Sequence, residues 1–491
     1  MTSGMSGERE ELLRRRLAGA RSRPDGPAAG ARAGRPVLSH GQRRIWFIDR
    51  LQPGSPGYTI PIAYRLRGAL HVGALHGALA AVTHRHEVLR TRFPVEGDEP
   101  YQDIAPDWPG LALDDLSGSG DPVARAREVV AEAAYSTFDL AAGPLLRAKL
   151  LRLAATDHVL LITVHHSVFD GASLSVFSGE LAEAYSAIAG GGRPELGEEP
   201  VQYADFAAWQ HRYLTDERVA EDLAYWRERL DGLAPVLALP TDRPRPKIAS
   251  ARGGAAGFTV PAATTTALRE LARARSASLF LVTFTAFHAV IGRYAGTTDV
   301  VLGVPVAGRD RRELENMIGF FAQTLPVRVD CGGEPTFAAL LDRVRDRFSE
   351  ATAHQRLPFD RLVEHLADRR DLSHNPIVQV LFNVLGAGTG AGVPRLPGIE
   401  AAEFGAAAAT TRFDLELHLV DEGDRLDGRV VFAADLFDDR TMSWFTGHFL
   451  AMLTAVAADP GVRVGRVPLI TPEELALIEA CNDRSVESEY A

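Results

Sequence analysis

Apolar and polar positions alternate with two different periods along the chain, and together they predict strands connected by helices. Residues 159–164 (VLLITV) form a short apolar run rich in β-branched side chains, which predicts a buried strand. Residues 75–89 and 174–188 have apolar positions at the spacing of helices that cover a core. Ser39 is placed to cap a helix that runs through Leu51. This pattern is typical of an α/β protein.

The order of elements recurs in the second half of the chain. Residues 203–230 predict one aromatic-rich helix, and the proline-rich residues 233–246 predict a crossing between two halves. The second half begins with a strand, two helices and a strand, predicted at residues 256–260, 262–275, 279–294 and 299–304. Because 491 residues exceed one ordinary core, we expect two related α/β lobes.

Composition indicates a globular protein and is compatible with small-molecule chemistry. Apolar residues make up 46% of the chain and charged residues 24%, and the net charge of −11 argues against general nucleic-acid binding. We expect no membrane association, because no stretch is long enough to span a bilayer and no signal peptide is evident. Cys331 and Cys481 are too few for a disulfide framework, so a reducing, cytoplasmic setting is expected.

Residues 165–171 (HHSVFDG) place several potentially catalytic side chains at the end of the predicted strand. Successive strand side chains point to opposite faces, so one of His165 and His166 is expected in the packed interior and the other on a cavity. A neutral imidazole exchanges a proton with an amine or hydroxyl near pH 7. Asp170 is placed to accept a hydrogen bond or hold a cation, and Gly171 lets the backbone approach a ligand.

These residues alone leave a catalytic histidine and a satisfied core histidine as equal alternatives. A metal pair is the weaker interpretation, because adjacent strand residues cannot readily share one ion. In the second half, residues 303–309 combine a strand end, a turn and Arg309, which is our candidate partner for a buried Asp170. No glycine-rich phosphate loop follows any predicted strand.

Taken together, seven short segments resemble, in order, the motifs of condensation domains of nonribosomal peptide synthetases. They are SHGQRRIW (39–46), RHEVLRTRF (85–93), HHSVFDG (165–171, the family's HHxxxDG pattern), YADFAAW (203–209), IGFFAQTLPVR (318–328), HQRLPFD (354–360) and RDLSHNP (370–376). The resemblance covers about residues 36–472. Taken singly, the last two segments are ordinary loops with helix caps.

The resemblance implies two lobes like chloramphenicol acetyltransferase, arranged in a V-shape with a central tunnel. It implies an N-terminal lobe at residues 37–232, a crossing at 233–250, and a C-terminal lobe at 251–472 with a floor loop and a latch near 386–408. Residues 1–36 are expected to be a flexible tail rather than a docking helix. Residues 473–491 resemble a connection to an adenylation domain.

The resemblance also implies an acyltransferase that forms amide bonds in antibiotic and other secondary metabolism. A donor acyl or peptidyl group passes from a carrier-protein thioester to the amine of an acceptor aminoacyl carrier protein. We expect no bound cofactor and no metal, since 4'-phosphopantetheine arrives on the carriers. The expected partners are donor and acceptor peptidyl carrier proteins and a downstream adenylation domain, without nucleic acid.

Roles for individual residues follow from the same resemblance. His166 is the catalytic residue, either as a base or as the group that positions the amine. The residues expected to maintain the active site are His165, Asp170, Gly171 and Arg309. The residues expected to line the substrate tunnel are Ser167, Ala172 and Gln323.

Three departures from the family pattern leave the reaction variant open. Ala172 stands where the family has tryptophan, Ala322 and Gln323 replace valine and asparagine, and Gly41 replaces alanine. Dehydration of a serine-derived residue and ester formation are therefore alternatives to simple condensation. Residues 54–61 resemble the branch that joins two L-configured residues.

Two alternatives from other classes remain. A non-catalytic docking module is disfavoured, because such relatives usually lose the histidine motif. An acyltransferase that uses coenzyme A is disfavoured by the acidic chain, which lacks an obvious basic nucleotide site.

Overall fold

The computed structural model of the chain describes residues 26–30, 34–366, 371–385, 392–405 and 410–482. Most of the predicted tail, parts of the predicted latch and the end of the predicted linker lie outside these ranges. The strands of the described part are, in chain order, β1 (Thr59–Gly68), β2 (Thr91–Arg92), β3 (Val95–Glu96), β4 (Glu99–Pro100), β5 (Asp103–Ile104), β6 (Leu111–Asp115), β7 (Leu146–Ala154), β8 (Asp157–His165), β9 (Gly253–Val260), β10 (Asp299–Val306), β11 (Gln323–Asp330), β12 (Val380–Leu385), β13 (Ile399–Glu403), β14 (Leu415–Asp421) and β15 (Leu426–Ala433).

Helices connect most of these strands. In the described residues they are α1 (His40–Leu51), α2 (Val72–Arg85), α3 (Pro122–Ala134), α4 (Gly171–Ala189), α5 (Tyr203–Tyr213), α6 (Asp216–Leu230), α7 (Ala262–Ala274), α8 (Leu279–Ala295), α9 (Arg312–Glu315), α10 (Phe337–Ala353), α11 (Phe359–Leu366), α12 (Asp439–Ala458) and α13 (Pro472–Asn482). Short 3₁₀ helices occupy Pro56–Tyr58, Glu87–Arg90, His166–Val168 and Val464–Arg466. The predicted mixed α/β fold is confirmed, while the V-shape and the tunnel stay predictions.

The first sheet contains β8, the strand that ends at the histidine pair. Its strand order is β13-β1-β8-β7-β6, with β8 antiparallel to both neighbours. The core on one face includes Leu75 of α2 and Phe177 of α4, and on the other face Val130 of α3 joins a core with Leu161. Apolar side chains on both faces explain the continuous run of residues 159–164, and the predicted strand is confirmed.

The second sheet follows the order β11-β10-β12-β14-β15-β9. Its core includes aromatic side chains from α8 and α12, with the Phe287 ring 5.3 Å from Phe382 of β12 and 5.9 Å from Phe449. The strands predicted at residues 256–260 and 299–304 are confirmed as β9 and β10, and the predicted helices as α7 and α8. The irregular crossing residues contact this sheet, where Arg245 forms an ion pair with Asp414 of the chain before β14.

Two segments from the second half of the chain join the first half. β13 follows β12 in sequence but pairs with β1 at the edge of the first sheet, where Tyr64 is opposite Glu403. The loop between β10 and β11 places Met317 and Phe321 in the first core. These exchanges fix the two halves beside each other, and the loop brings the second half to the histidine motif.

Two predicted helices differ from the structure. The segment at residues 203–230 is two helices, because Thr215 and the acidic Asp216 and Glu217 form a new helix start. The second of them, α6, places Trp226 in the core of the second half although it precedes the predicted crossing. The helix predicted at residues 75–89 ends at Arg85, where His86 turns to extended backbone and its buried ring contacts Glu180 at 2.7 Å.

No single helix in the described ranges is long and apolar enough to cross a membrane. Taken together, α7 and α8 have the length and apolar composition of a span, but their axes are bent by 106°. Cys331 and Cys481 are free cysteines.

Candidate active site

A cavity of about 140 Å³ lies where β8 ends, and both halves of the molecule contribute to its wall. The first half supplies Tyr58 and His166, and the second supplies Phe320, Gln323 and Arg412. The polar members of this set are the side chains able to act on a bound molecule.

His166 is the histidine on the cavity. It begins the 3₁₀ helix after β8, and its Nδ1 lies 2.7 Å from the carbonyl oxygen of Phe169. A carbonyl oxygen only accepts, so Nδ1 carries the hydrogen and Nε2 keeps a free lone pair. The edge of the ring contacts Phe320, with centroids 4.9 Å apart. The backbone contact thus fixes both the tautomer and the orientation of the ring.

The surroundings of His166 keep its imidazole neutral. The pKa of His166 is lowered to about 4, chiefly by burial and secondly by the positive charge of Arg412. The hydrogen bond to Phe169 and the charge of Asp170 act in the opposite direction. At neutral pH the ring is therefore a hydrogen-bond acceptor and a weak base at Nε2.

His165 is the buried histidine of the pair. Its side chain is 4% exposed, and its Nδ1 lies 2.7 Å from the Ser167 hydroxyl. The Phe138 ring packs edge-on at 5.7 Å, and burial lowers the pKa of His165 to about 3. The opposite placement of the two histidines agrees with what strand alternation predicts.

Ser167 corrects one expectation. We expected it to line the substrate tunnel, but its side chain is fully buried and contacts His165 instead. Its carbonyl oxygen accepts a hydrogen bond from Gln42 of α1 at 3.2 Å. The reason is local, because the chain turns into the 3₁₀ helix His166–Val168 after β8, and the Ser167 hydroxyl bonds there to His165.

Asp170 and Arg309 form a buried ion pair between the halves. Both guanidinium NH groups donate to the carboxylate at 2.9 Å, and the two side chains are 1% and 6% exposed. Asp170 also caps α4 through Ser173, and its carboxylate accepts from the backbone NH groups of Phe321 and Ala322 at 3.0 and 3.2 Å. A charge this deeply buried needs such partners, and they hold the cavity loop against the start of α4.

The other expected site residues take different positions. Gln323 lines the cavity at the start of β11. Gly171 is exposed at the first position of α4, and a Cβ added there would meet open space. Ala172 is exposed beside it. An open surface here is compatible with substrate passage.

Gly41, a departure from the family pattern, faces the same cavity. A Cβ at this position would lie 2.9 Å from the Phe320 ring, which contacts His166. Glycine therefore leaves space for Phe320, so this departure affects the packing around the catalytic candidate.

Arg412 and Tyr58 are cavity residues that our sequence reasoning missed. The Arg412 guanidinium lies over the Tyr58 ring, with its Cζ 4.9 Å from the centroid. They belong to distant parts of the chain, and no spacing connects them. The available signal was an arginine next to the apolar start of β14, too common a pattern to predict a site.

Metal-binding side chains are scattered rather than grouped. Throughout the described ranges, no cluster of three or more His, Cys, Asp or Glu side chains has an arrangement that could hold a metal ion. The polar groups on the cavity wall include a neutral imidazole, two arginines, a carboxylate, a phenol and side-chain amides.

Comparisons with known proteins point to one family. A family model described as Condensation domain matches residues 33–479. One of the linear gramicidin synthase proteins of Brevibacillus parabrevis is 41% identical over 457 residues, which are 92% of this chain and 6% of that protein. Phosphinothricin tripeptide synthetase PhsC of Streptomyces viridochromogenes is 40% identical over 486 residues, 98% of this chain and 45% of that protein. This chain therefore spans less than half the length of either relative.

Solved structures agree with this assignment. The X-domain from teicoplanin biosynthesis, solved in a complex with OxyB, superposes with a TM-score of 0.82 at 32% identity. The match covers 92% of this chain and 99% of that chain.

Proposed function

The chain belongs to the condensation-domain family of nonribosomal peptide synthetases, whose general reaction is amide-bond formation, and we propose that it joins two carrier-bound substrates. A donor acyl or peptidyl thioester is attacked by the amine of an acceptor aminoacyl thioester. The single observation that supports this most is the neutral His166, whose Nε2 lone pair is available at a cavity lined by both halves.

In the proposed step the amine nitrogen attacks the thioester carbonyl carbon. A C–N bond forms, the C–S bond breaks, and the donor's thiol leaves. His166 Nε2 accepts a hydrogen bond from the amine, either as a base or to position it, and the amine proton finally reaches the leaving sulfur. Bringing two tethered substrates together supplies much of the rate enhancement. The remaining requirements are a neutral amine and stabilisation of the tetrahedral oxyanion.

Four residues support this arrangement in the proposal. His165 and Asp170 hold the motif, Arg309 neutralises Asp170, and Gly171 keeps a passage open beside α4. Gln323 is proposed to contact substrate. Each role is suggested by burial, hydrogen bonds or open space at the corresponding side chain.

The partners are also part of the proposal. Donor and acceptor peptidyl carrier proteins deliver 4'-phosphopantetheine arms through a tunnel between two lobes in a V-shape. An adenylation domain follows the connecting helix α13, and the reaction takes place in the cytoplasm. The large synthetases that this chain matches over 6% and 45% of their length support a place within a multidomain assembly.

A docking module is the second candidate function. The observation that favours it is the similarity to the X-domain, which was solved as a complex with OxyB. On this alternative the chain would bind a partner protein without transferring an acyl group. The presence of His166 with an available Nε2 favours catalysis, because an imidazole placed for proton transfer has no evident role in docking.

Intact-mass spectrometry of two loaded carriers tests the proposal. A donor acyl carrier and an acceptor aminoacyl carrier are incubated with the chain, with His166→Ala, or with the matched surface control His84→Ala. We expect transfer with the chain and the control, and loss with His166→Ala. A product lighter by one water indicates the dehydrating variant, and transfer only to a hydroxyl acceptor indicates ester formation. Carrier binding without transfer would leave the docking function.

A further inference from the structure

The charges around the cavity do not cancel. The ionisable side chains of its wall are Arg44, Tyr58, His166, Asp360 and Arg412. Arg44 donates to Asp360 at 2.9 Å, so these two neutralise each other. His166 is neutral because its pKa is lowered. Arg412 is left as the cation that determines the net charge of the wall.

Arg412 is held by groups that leave its charge available. Its guanidinium lies over the Tyr58 ring at 4.9 Å, and its carbonyl oxygen accepts a hydrogen bond from the Asn375 side chain. Among the described residues, no carboxylate lies within ion-pair distance of it. Arg309 is the contrast, since its guanidinium is buried and bound by Asp170. The charge of Arg309 is thus neutralised by an ion pair, whereas Arg412 is exposed and has none within the described part of the chain.

Glu416, a carboxylate on which the charge of Arg412 acts, has other partners. Glu416 accepts a hydrogen bond from the Thr411 hydroxyl at 2.6 Å and lies 3.2 Å from His418 Nε2. A carboxylate engaged in this way compensates the guanidinium only at a distance. The free side of Arg412 therefore has capacity for another anion.

We propose that Arg412 forms an anion subsite that binds a negatively charged oxygen of the substrate beside His166. The Tyr58 ring lies next to both, 6.5 Å from the His166 ring and under the guanidinium. The planar guanidinium presents paired NH donors that suit two oxygens of a carboxylate or a single oxyanion. This inference rests on the proposed acyl transfer.

Two sources of that oxygen share this chemistry. One is the oxyanion that forms when the amine attacks the thioester carbonyl, which arises with every substrate. The other is a carboxylate on the side chain of the donor acyl group or of the acceptor amino acid. The guanidinium attracts a negatively charged oxygen from either source, and its paired NH groups can donate hydrogen bonds to it.

The test compares substrates of matched length with and without a negative charge. The donor carrier is loaded with hexanoyl or adipoyl, which have the same number of carbons, and the acceptor carrier with glutaminyl or glutamyl. Single-turnover transfer is measured for the chain, for Arg412→Gln and for Arg412→Lys. Arg440→Gln is the matched control, because Arg440 stacks on Trp444 at 4.6 Å on α12, outside the cavity wall.

We expect Arg412→Gln to slow transfer by about 100-fold, the usual loss when one oxyanion donor is removed. An equal loss for all four substrate pairs assigns the oxyanion, and a loss confined to adipoyl or glutamyl assigns a side-chain carboxylate. Arg412→Lys keeps the charge without the paired donors and should recover part of the rate. The control should transfer at the rate of the unmodified chain.

Unchanged rates in Arg412→Gln with every pair would overturn the subsite. Failure of the unmodified chain to transfer any pair would instead contradict the proposed function. A second measurement distinguishes an effect of the Arg412 charge from a structural effect of the substitution. Loss of that charge should raise the pKa of His166. We expect an NMR titration of the His166 ring to shift upward in Arg412→Gln and to stay unchanged in Arg440→Gln.

Discussion

Arg309 and Asp170 meet across 139 positions of sequence, and their side chains join the loop after β10 to the first turn of α4. The same carboxylate accepts backbone hydrogen bonds from Phe321 and Ala322 on the wall of the cavity. The buried carboxylate of Asp170 thus holds Phe321 and Ala322 in their positions on the cavity wall. The contact makes the shape of the site depend on an ion pair that does not itself face substrate.

Loss of Arg309 should destabilise the chain. Arg309→Ala leaves Asp170 buried without its cation, which costs about 3 kcal/mol in the free energy of unfolding. Urea unfolding measures the change. Arg425→Ala is the control, because Arg425 pairs with Asp427 at an exposed position and its loss should hardly move the midpoint. Equal midpoints for both variants would contradict the importance of the buried pair.

Gly308 should tolerate no side chain. Its φ is +64°, and an added Cβ would lie 2.1 Å from the carbonyl oxygen of Phe321. Gly308→Ala should cost at least about 2 kcal/mol and lower transfer, since the cavity loop must move. Gly232→Ala is the matched control with φ +66° and open space around its Cβ, so only the backbone term of about 1 kcal/mol applies. The prediction is wrong if both variants unfold alike.

The pH dependence of transfer should follow the acceptor amine and not His166. Burial lowers the pKa of His166 to about 4, so the imidazole is neutral above that pH and protonates only below it. An acceptor α-amine has an ordinary pKa of about 7.7–8.0 and loses its lone pair to protonation at higher pH than the imidazole does. Single-turnover rates between pH 5.5 and 9 should therefore fall as the amine protonates. Protonation of the His166 ring between pH 7 and 6, detected by NMR, would refute this.

Glu474 should anchor the C-terminal helix α13. Its carboxylate lies 2.8 Å from His448 Nε2 and accepts from the Thr471 NH, and Tyr294 contacts the other nitrogen of His448 at 2.5 Å. Glu474→Gln should weaken these bonds and speed amide hydrogen exchange across α13 about fivefold or more. The neighbouring Glu473 is exposed, and Glu473→Gln should exchange like the unmodified chain. Equal exchange in both variants would remove Glu474 as the anchor.

The pattern of apolar residues predicted the elements whose side chains have the same surroundings from one end to the other. The β8 strand has apolar neighbours on both faces, so its composition alone was sufficient. The break between α5 and α6 was missed, although Thr215 and Asp216 supply a helix start that a search for caps detects. Ser167 bonds to His165 because a 3₁₀ helix follows β8 directly, whereas the resemblance to the family led us to expect it on the tunnel.

Tertiary proximity explains what the sequence did not supply. Arg309 was a candidate because a buried carboxylate requires a cation, and the structure places it against Asp170. Arg412 and Tyr58 have no such requirement, and they meet only because β1 and β14 begin near the same cavity. Neither residue of this pair needs the other to satisfy a buried polar group, so the sequence gives no reason to pair them.

The pairing of β1 with β13 has a consequence for synthesis on the ribosome. β1 is complete at Gly68, but the strand that covers its outer edge ends at Glu403, roughly 330 residues later. Translation at about 5–20 residues per second makes this interval on the order of 15–70 s. During that time the nascent first sheet has unpaired backbone groups along one edge, which can pair with another chain. Molecules translated side by side on one messenger are therefore most prone to misassociate before residue 403 emerges.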